Sequence, residues 1–318
     1  MSLNHFKYFK RGLGDRYDGW RVRKVDILFR MISYFLKNRN DSQNFFEEKI
    51  SVDHLEEFIK KHKEEMPDLS VMHVMMAALV RLVSQRPQLN RFVVWNKIFA
   101  RNHLNISIAI KRSLTDDGEE TFIKPYFMPE DTLQDVVRKV QMELNTLDEP
   151  GVQKDADLIA GILNKLPDLL LRFVVFCLSW LDRVGIMPKF VHKISPWHCS
   201  FFLTNMGSIG LEPIYHHLYK FGTCSVFVAM GRKSTEYVMD SSGNVEKKRH
   251  IGLKFVVDER ICDGFYYASS LRLLNKILAN PEQLLSPPQS VIIDKAVGKK
   301  RLDKSKSDEF PPPLFYKK

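Results

Sequence analysis

The order in which helical and strand patterns follow one another constrains the fold of this 318-residue chain most strongly. Segments 53–65 and 70–87 carry apolar residues at three- and four-residue spacing, as amphipathic helices do. The second half is richer in strands, and a hairpin is predicted where 235–240 pairs with 247–259 across Ser-Ser-Gly-Asn. Further strands are predicted at 90–101, 102–112, 121–127, 199–207 and 223–233, and further helices at 130–147, 158–191 and 269–278. Frequent hairpins without a regular β-α-β period predict one α/β domain with a mixed sheet.

The basic residues are concentrated at the two ends of the chain. Of the formal net charge of +10, residues 1–24 contribute +5 and residues 291–318 contribute +4, which leaves +1 for the body between them. A nucleic-acid-binding domain would be expected to carry a basic face within its folded body, so no specific nucleic-acid binding is predicted. We expect a basic N-terminal arm at 1–24, a folded domain at 25–285 and a mobile, Pro/Lys-rich basic tail at 286–318.

Cysteine usage and hydropathy indicate a cytoplasmic protein without a transmembrane segment. The four cysteines lack Cys-x-x-Cys spacing, which argues against a zinc ribbon and against a disulfide framework. In the most apolar stretch, 166–187, the longest uncharged run is Phe173 to Leu181, far shorter than the ~20 residues that span a bilayer. This stretch is predicted to be a helix that a large core or a subunit interface covers. The N-terminus has no apolar core of the kind that secretory signals contain.

A carboxylate-rich turn, Asp258 to Gly264 (D-E-R-I-C-D-G), joins a predicted strand to the last predicted helix. Asp-Gly at the end of a strand is often an ordinary turn, but here it completes a specific order of segments. That order consists of R-V-R-K at 21–24, R-P-Q-L-N-R-F at 86–92, the strand at 121–127, P-W-H-C-S-F-F-L-T-N-M-G-S-I-G at 196–210, the hairpin, and 258–271. It resembles the trimeric CoA-dependent acyltransferases, which include chloramphenicol acetyltransferase and the catalytic domain of the dihydrolipoyl acyltransferases of 2-oxoacid dehydrogenase complexes.

The resemblance implies an α/β, chloramphenicol-acetyltransferase-like two-layer sandwich, with a mixed sheet, helices on one face, and a homotrimeric assembly. In that family the histidine of a His-x-x-x-Asp-Gly motif is the general base, and a serine or threonine hydroxyl from the neighbouring subunit binds the tetrahedral oxyanion. Asp263 and Gly264 match the motif, Thr204 falls at the hydroxyl position with Asn205 beside it, and Glu259 occupies the position of the base. The resemblance therefore implies Glu259, Asp263 and Thr204 as catalytic candidates and Asn205 and Gly264 as substrate contacts. CoA or acyl-CoA is the implied substrate, with no metal.

Replacement of the histidine by Glu259 is the main departure from the family. A solvated glutamate has a pKa near 4.3 against about 8.5 for a thiol, so as a base it starts about four units too weak. Burial in an apolar channel beside a second carboxylate, Asp263, would raise the pKa of Glu259. Arg260 would oppose that rise if it reached Glu259, but adjacent side chains on a strand point to opposite faces.

Other histidines are weaker candidates for the base. His198 lies on the same strand face as Thr204, but six residues away it is about 20 Å distant and cannot share that subunit's Thr204 site. His216 and His217 follow the Gly-rich turn and could approach a subunit interface. Satisfied polar groups at a turn or interface are the expected role of all three.

Three functional hypotheses follow. The first is a CoA-dependent acyltransferase that moves an acyl group from a thioester to an unidentified acceptor at a subunit interface. The second is a catalytically silent trimeric scaffold or ligand-binding pseudoenzyme, in which Glu259 would be exposed and paired with an arginine such as Arg21 or Arg23. The third, ranked last, is attachment to an anionic membrane through the basic termini.

Overall fold

The structure is a computed structural model that describes residues 6–111, 120–148, 161, 165–239, 241–300 and 302. A mixed sheet is its central element, with the strand order β2-β10-β9-β8-β5-β6 and with β7 paired to β5. Its strands are β2 (Gln43–Ser51), β5 (Leu104–Lys111), β6 (Glu120–Ile123), β7 (Tyr126–Phe127), β8 (Phe201–Asn205), β9 (Val226–Met239) and β10 (Val245–Asp258). Strands β5, β8 and β9 run parallel, whereas β10, β2 and β6 are antiparallel to their neighbours. The predicted mixed sheet is therefore confirmed.

A small antiparallel sheet and a set of helices complete the body. The small sheet has the order β1-β4-β3, with β1 (Gly19–Arg21), β3 (Arg91–Val94) and β4 (Lys97–Arg101). The helices are α1 (Ile27–Phe35), α2 (Asp53–Lys61), α3 (Val71–Gln85), α4 (Leu133–Asp148), α5 (Asp168–Val184), α6 (Lys189–Ile194) and α7 (Gly264–Ala279). None of the described helices is long and apolar enough to cross a membrane.

Side chains alternate between the two faces of the main sheet. On one face, Phe201 and Leu203 of β8 join the main core with residues of α2, α3, α4 and α7. On the other face, Phe202 packs in a smaller cluster with Phe227 and Val256. Helix α3 is buried along most of its length because it is apolar on nearly all sides, so it forms the centre of the helical layer.

Several predicted elements have different bounds in the structure. The single strand predicted at 90–101 is a hairpin of β3 and β4, because Trp95 and Asn96 adopt left-handed φ values of 47° and 56°. The strands predicted at 223–233 and 235–240 form one continuous strand, β9. Neither α1 nor β2 was predicted. The last helix begins at Gly264, five residues before its predicted start, because Asp263 caps it.

The chain ends are incorporated further into the body than predicted. Phe6, Tyr8 and Trp20 lie in the main core, so residues 6–24 do not form a free arm. Val297 is also buried there, and the carbonyl of Ala296 accepts hydrogen bonds from the backbone of residues 23 and 24. The predicted boundaries at 24/25 and 285/286 therefore do not coincide with the edges of the packed body. Residues 1–5 and 303–318, the latter about half of the predicted mobile tail, lie outside the described residues.

The apolar segment predicted as one helix over 158–191 contains α5 and α6 in its described part. Gly185, with φ of 76°, ends α5, and Pro188 precedes α6. Among the side chains of α5, only Asp182 is buried. The helix is confirmed, but the prediction that a large core covers it is wrong for the single chain.

Candidate active site

The turn that follows β10 is organised by a buried ion cluster. The carboxylate of Asp258 is fully buried and accepts two hydrogen bonds of 2.8 Å from Nε and Nη2 of Arg260. Nε of Arg39 lies 3.6 Å from the same carboxylate. Arg39 also donates to the carbonyls of Tyr219 and Gly222, so the cluster ties the turn to two other segments. Two buried guanidinium groups thus share one carboxylate at the end of β10.

Glu259, the predicted base, lies next to this cluster without belonging to it. Its backbone N–H donates to the carbonyl of Ser42, at 2.8 Å, and its side chain is half-buried. Within the described part of the chain, its carboxylate has no hydrogen bond and no ion pair; neither Arg21 nor Arg23 pairs with it. Arg260 does not neutralise Glu259, as expected, but the reason differs from strand alternation: β10 ends at Asp258, and Arg260 is committed to that residue.

Asp263 and Gly264 begin helix α7. Asp263 is its N-cap and accepts a hydrogen bond of 2.8 Å from the backbone N–H of Tyr266. Both residues are exposed, and no arginine pairs with Asp263 in the described ranges. A Cβ on Gly264 would meet no atom within 4 Å, so packing within the chain does not require glycine there. Among the described residues of this turn, the aspartate that pairs with arginine is Asp258.

Thr204 and Asn205 form the end of β8 and are half-buried. The Thr204 hydroxyl lies 3.8 Å from the sulfur of Met206, and the carbonyl of Asn205 accepts a hydrogen bond from Ser208. The turn that follows is tightly packed, because a Cβ on Gly207 would lie 2.6 Å from the carbonyl oxygen of Gly231. The backbone of this turn is therefore fixed against β9.

Strand register shows that Thr204 and Glu259 lie far apart within one chain. Thr204 pairs with Ala229 of β9, which in turn pairs with Lys254 of β10. Glu259 follows Lys254 by five residues, or about 17 Å along the strand, and two strand spacings add about 10 Å across the sheet. The separation is therefore about 20 Å. A site that uses both residues would therefore require a second subunit, which is the arrangement that the family resemblance implies.

Two of the three alternative histidines, His198 and His216, are held by structural contacts, whereas His217 is exposed. His198 is fully buried between the Ser195 hydroxyl, 2.7 Å from Nδ1, and the Asp182 carboxylate, 3.5 Å from Nε2. Burial lowers the pKa of His198, although Asp182 opposes the shift. His216 stacks on Phe227 with ring centroids 4.4 Å apart. The Ser-His-Asp arrangement is enclosed, so it lacks the access that a nucleophile needs.

A basic pocket of about 270 Å³ lies beside α1. It is lined by Arg21, Val22, Arg23, Val25, Arg30, Tyr34, Asn96, Lys97 and Ile98, with no carboxylate. Arg23 pairs with Asp15, whereas Arg30 and Lys97 have no ion pair among the described residues. Helix α1 ends at the turn after β10, where Arg260 donates to the carbonyl of Leu36. Arg30 precedes Leu36 by six residues, so the pocket lies about 9 Å along the helix from that contact.

Sequence reasoning missed Arg39, the ion-pair role of Asp258, and the pocket cations Arg30 and Lys97. Asp258 and Arg260 were visible in D-E-R, and a carboxylate two residues from an arginine at a strand end is a weak signal of a local ion pair. Arg39 gave no signal, because its partner lies more than two hundred residues away in the chain.

Comparisons with known proteins agree with this architecture. Residues 198–286 match the family model of the 2-oxoacid dehydrogenases acyltransferase (catalytic domain). A probable dihydrolipoamide acetyltransferase from Listeria monocytogenes superposes with a TM-score of 0.50 at 15% identity, over 84% of this chain and 94% of that chain. The chain has the chloramphenicol-acetyltransferase-like fold.

Other structures with this fold are more distant. The cubic core of a pyruvate dehydrogenase multienzyme complex gives a TM-score of 0.48 at 15% identity, over 80% of this chain and 91% of that chain. A chloramphenicol acetyltransferase gives 0.47 at 8% identity, over 80% and 99%. No curated protein sequence matches the chain. The family-model match and the Listeria structure confirm the acyltransferase-like fold predicted from the order of segments.

Proposed function

We propose that the chain is a homotrimeric, CoA-dependent acyltransferase in which Glu259 serves as the base. The observation that carries this proposal is the state of Glu259, a half-buried carboxylate without a partner in the described structure. The adjacent charges of Asp258 and Arg260 neutralise each other, so Arg260 does not hold Glu259 in an ion pair. The turn thus presents one uncommitted proton acceptor at the position of the family's histidine.

The proposed reaction is the transfer of an acyl group from a thioester at a subunit interface. The acceptor, a thiol, hydroxyl or amine, attacks the thioester carbonyl while its proton passes to Glu259. The hydroxyl of Thr204 from the neighbouring subunit donates a hydrogen bond to the tetrahedral oxyanion. Collapse of that intermediate breaks the carbon–sulfur bond, and Glu259 returns the proton to the departing CoA thiolate.

The basic pocket beside α1 suits the phosphate groups of the donor. Arg30 and Lys97 line it as cations that have no ion pair within the described ranges, and it lies within a short distance of the Glu259 turn along α1. An extended phosphopantetheine arm can bridge such a separation. The pocket therefore supports an acyl-CoA donor rather than an uncharged thioester.

The first prediction concerns Glu259. Glu259→Gln keeps the shape of the side chain but removes the base, so transfer from acetyl-CoA to dihydrolipoamide should fall about 100-fold or more. The rate is followed as release of free CoA thiol, with several thiol and amine acceptors screened first. Glu246→Gln, an exposed glutamate on β10, is the matched control and should retain the wild-type rate. An unchanged rate in Glu259→Gln would contradict the assignment of the base.

The second prediction concerns the pocket. Arg30→Ala together with Lys97→Ala removes two cations that contact the donor's phosphates, so acyl-CoA binding measured by titration calorimetry should weaken about tenfold or more. Lys60→Ala with Lys61→Ala, in α2, removes the same charge elsewhere and should leave binding intact. Equal losses in both double variants would show a general charge effect and no phosphate site.

A catalytically silent scaffold is the second candidate function. It is favoured by the absence of the histidine and by Asp263, which acts as a helix cap and has no arginine partner among the described residues. Glu259→His separates the two functions. If wild type binds acyl-CoA without turnover and Glu259→His acquires transfer, the natural protein is a ligand-binding scaffold.

A further inference from the structure

Helix α5 carries an apolar stripe on the side that faces away from the body. Leu169, Phe173, Phe176 and Trp180 are 81%, 62%, 63% and 48% exposed, respectively. Their spacing of four, three and four residues places them on one side of the helix. The solvent side of a surface helix is normally polar, so four large apolar side chains there require a covering surface.

The orientation of α5 is fixed by an ion pair at its C-terminal end. Asp182 is buried, and its carboxylate lies 2.7 Å from Nη2 of Arg16. Trp180 is two residues away, about 200° around the helix at 3.6 residues per turn. The contact that anchors α5 to the body therefore directs Trp180 and the rest of the stripe outward.

Helix α6 and the flanking cations extend this surface. Ile186 and Phe190 are 62% and 60% exposed. Between residues 165 and 194 the exposed charged groups are five cations against one carboxylate, Asp168; the cations are Lys165, Arg172, Arg183, Lys189 and Lys193. We call this surface the α5–α6 face and define it by Leu169, Phe173, Phe176, Trp180, Ile186, Phe190 and those five cations.

We propose that the α5–α6 face lies on the surface of an anionic lipid bilayer. An outward stripe of leucine, phenylalanine and tryptophan with arginine and lysine at its borders matches the composition of interfacial helices. Arg172 and Arg183 lie on the same side of the helix as the stripe, where their guanidinium groups can reach lipid phosphates while the aromatic rings enter the headgroup boundary.

Charge favours a bilayer over a second copy of the chain. The face itself carries five exposed cations and one exposed carboxylate, so the same face on a second copy would repel it and would offer few carboxylates to its cations. An anionic leaflet instead supplies both an apolar interior and a dense layer of negative groups. The face is distinct from the Thr204 and Glu259 turns, so this inference stands independently of the proposed acyl transfer.

Vesicle flotation of the full chain tests the proposal. Wild type should partition onto vesicles of phosphatidylcholine with about 30% phosphatidylglycerol at least about tenfold more strongly than onto pure phosphatidylcholine, and less at high salt. The triple variant Phe173→Ser, Phe176→Ser, Trp180→Ser should lose this binding. The control is a triple variant on the exposed β9–β10 hairpin, Tyr237→Ser, Met239→Ser, Val245→Ser. It removes three exposed apolar side chains elsewhere and should bind vesicles as wild type does.

Two further measurements make each outcome decisive. Arg172→Glu with Arg183→Glu keeps the apolar stripe and should lose the preference for phosphatidylglycerol, which tests the proposal even if the triple variant fails to fold by circular dichroism. Light scattering reports the oligomeric state of every variant. The proposal would be overturned if wild type did not bind vesicles, or if the hairpin and stripe variants bound them equally. It would also be overturned if the stripe variant formed a smaller oligomer, which would identify the face as a subunit interface.

Discussion

The two aspartates of the turn after β10 stabilise the fold by different means. Asp258 is buried between two guanidinium groups, whereas Asp263 is exposed and caps a helix. Removing the charge of one partner in a buried ion pair leaves the other charge without a counter-charge in a medium of low polarity. This lowers the free energy of unfolding substantially. An exposed cap can be replaced by another side chain that accepts the same hydrogen bond.

The third prediction follows from this contrast. Asp258→Asn should lower the free energy of unfolding by about 3 kcal/mol, because Arg39 and Arg260 would remain buried without a counter-charge. Asp263→Asn is the matched control in the same turn, and its effect should stay below about 0.5 kcal/mol, since asparagine caps helices as well as aspartate does. Urea denaturation of both variants measures the difference. Equal effects would argue against a buried ion cluster.

At the scale of elements, one buried lysine joins the β6–β7 segment to α6. Lys124 is buried between β6 and β7, and its ammonium group donates to the carbonyls of His192 and Ser195 at 2.6 and 2.8 Å. Burial lowers the pKa of Lys124 to about 7. These carbonyls lie at the C-terminal end of α6, where a helix leaves acceptors unsatisfied. The lysine therefore acts as a cap supplied by a distant segment.

The fourth prediction is a pH dependence that arises from Lys124. Above pH 7 the folded chain loses this proton, whereas the unfolded chain retains it up to the ordinary pKa of 10.5. The unfolded state binds more protons in that window, so Lys124 makes stability rise between about pH 7 and 10. Lys124→Met should reduce this rise by up to about 1.4 kcal/mol per pH unit. Denaturation of both proteins at pH 7, 8 and 9 checks it; parallel pH profiles would contradict it.

Elements with a strong local pattern could be predicted from the sequence, and those that depend on distant contacts could not. The apolar period of α3 and the alternation of β5 are visible in single segments. Strand β2 was missed because its pairing with β10 decides its conformation, and its own pattern is mostly polar. For the candidate site, the motif order selected Thr204 and Glu259, whose roles stay predictions. The ion pair between Arg39 and Asp258 and the pocket around Arg30 form only when segments distant in the chain come together.

At the scale of the whole molecule, the separation of Thr204 from Glu259 sets the assembly that the proposed chemistry needs. The two residues lie at opposite ends of the sheet, because β8 and β10 run antiparallel and each residue lies at or just beyond the C-terminal end of its own strand. A trimer in which each site joins Glu259 of one subunit to Thr204 of the next resolves this separation.

The fifth prediction tests shared sites directly. Glu259→Gln and Thr204→Val should each be nearly inactive alone, but co-expressed in equal amounts they form mixed trimers with one intact site each. Random assembly should restore about a quarter of the wild-type rate, since three quarters of trimers are mixed and carry one site of three. Affinity tags on the two variants verify mixing. Mixed trimers without activity would contradict a site built from two subunits.

The pairing of early with late segments has a consequence for synthesis of the chain. Arg91 forms a buried bidentate ion pair with Asp294, which lies 203 residues later. Strand β2 likewise pairs with β10, the last strand of the sheet in chain order. At the usual pace of translation, roughly 5–20 residues per second, about ten seconds or more pass before the partners emerge from the ribosome. The nascent N-terminal third therefore lacks its partners during that interval and is prone to aggregate. We expect a chaperone to bind it until β10 and the segment that contains Asp294 have been synthesised.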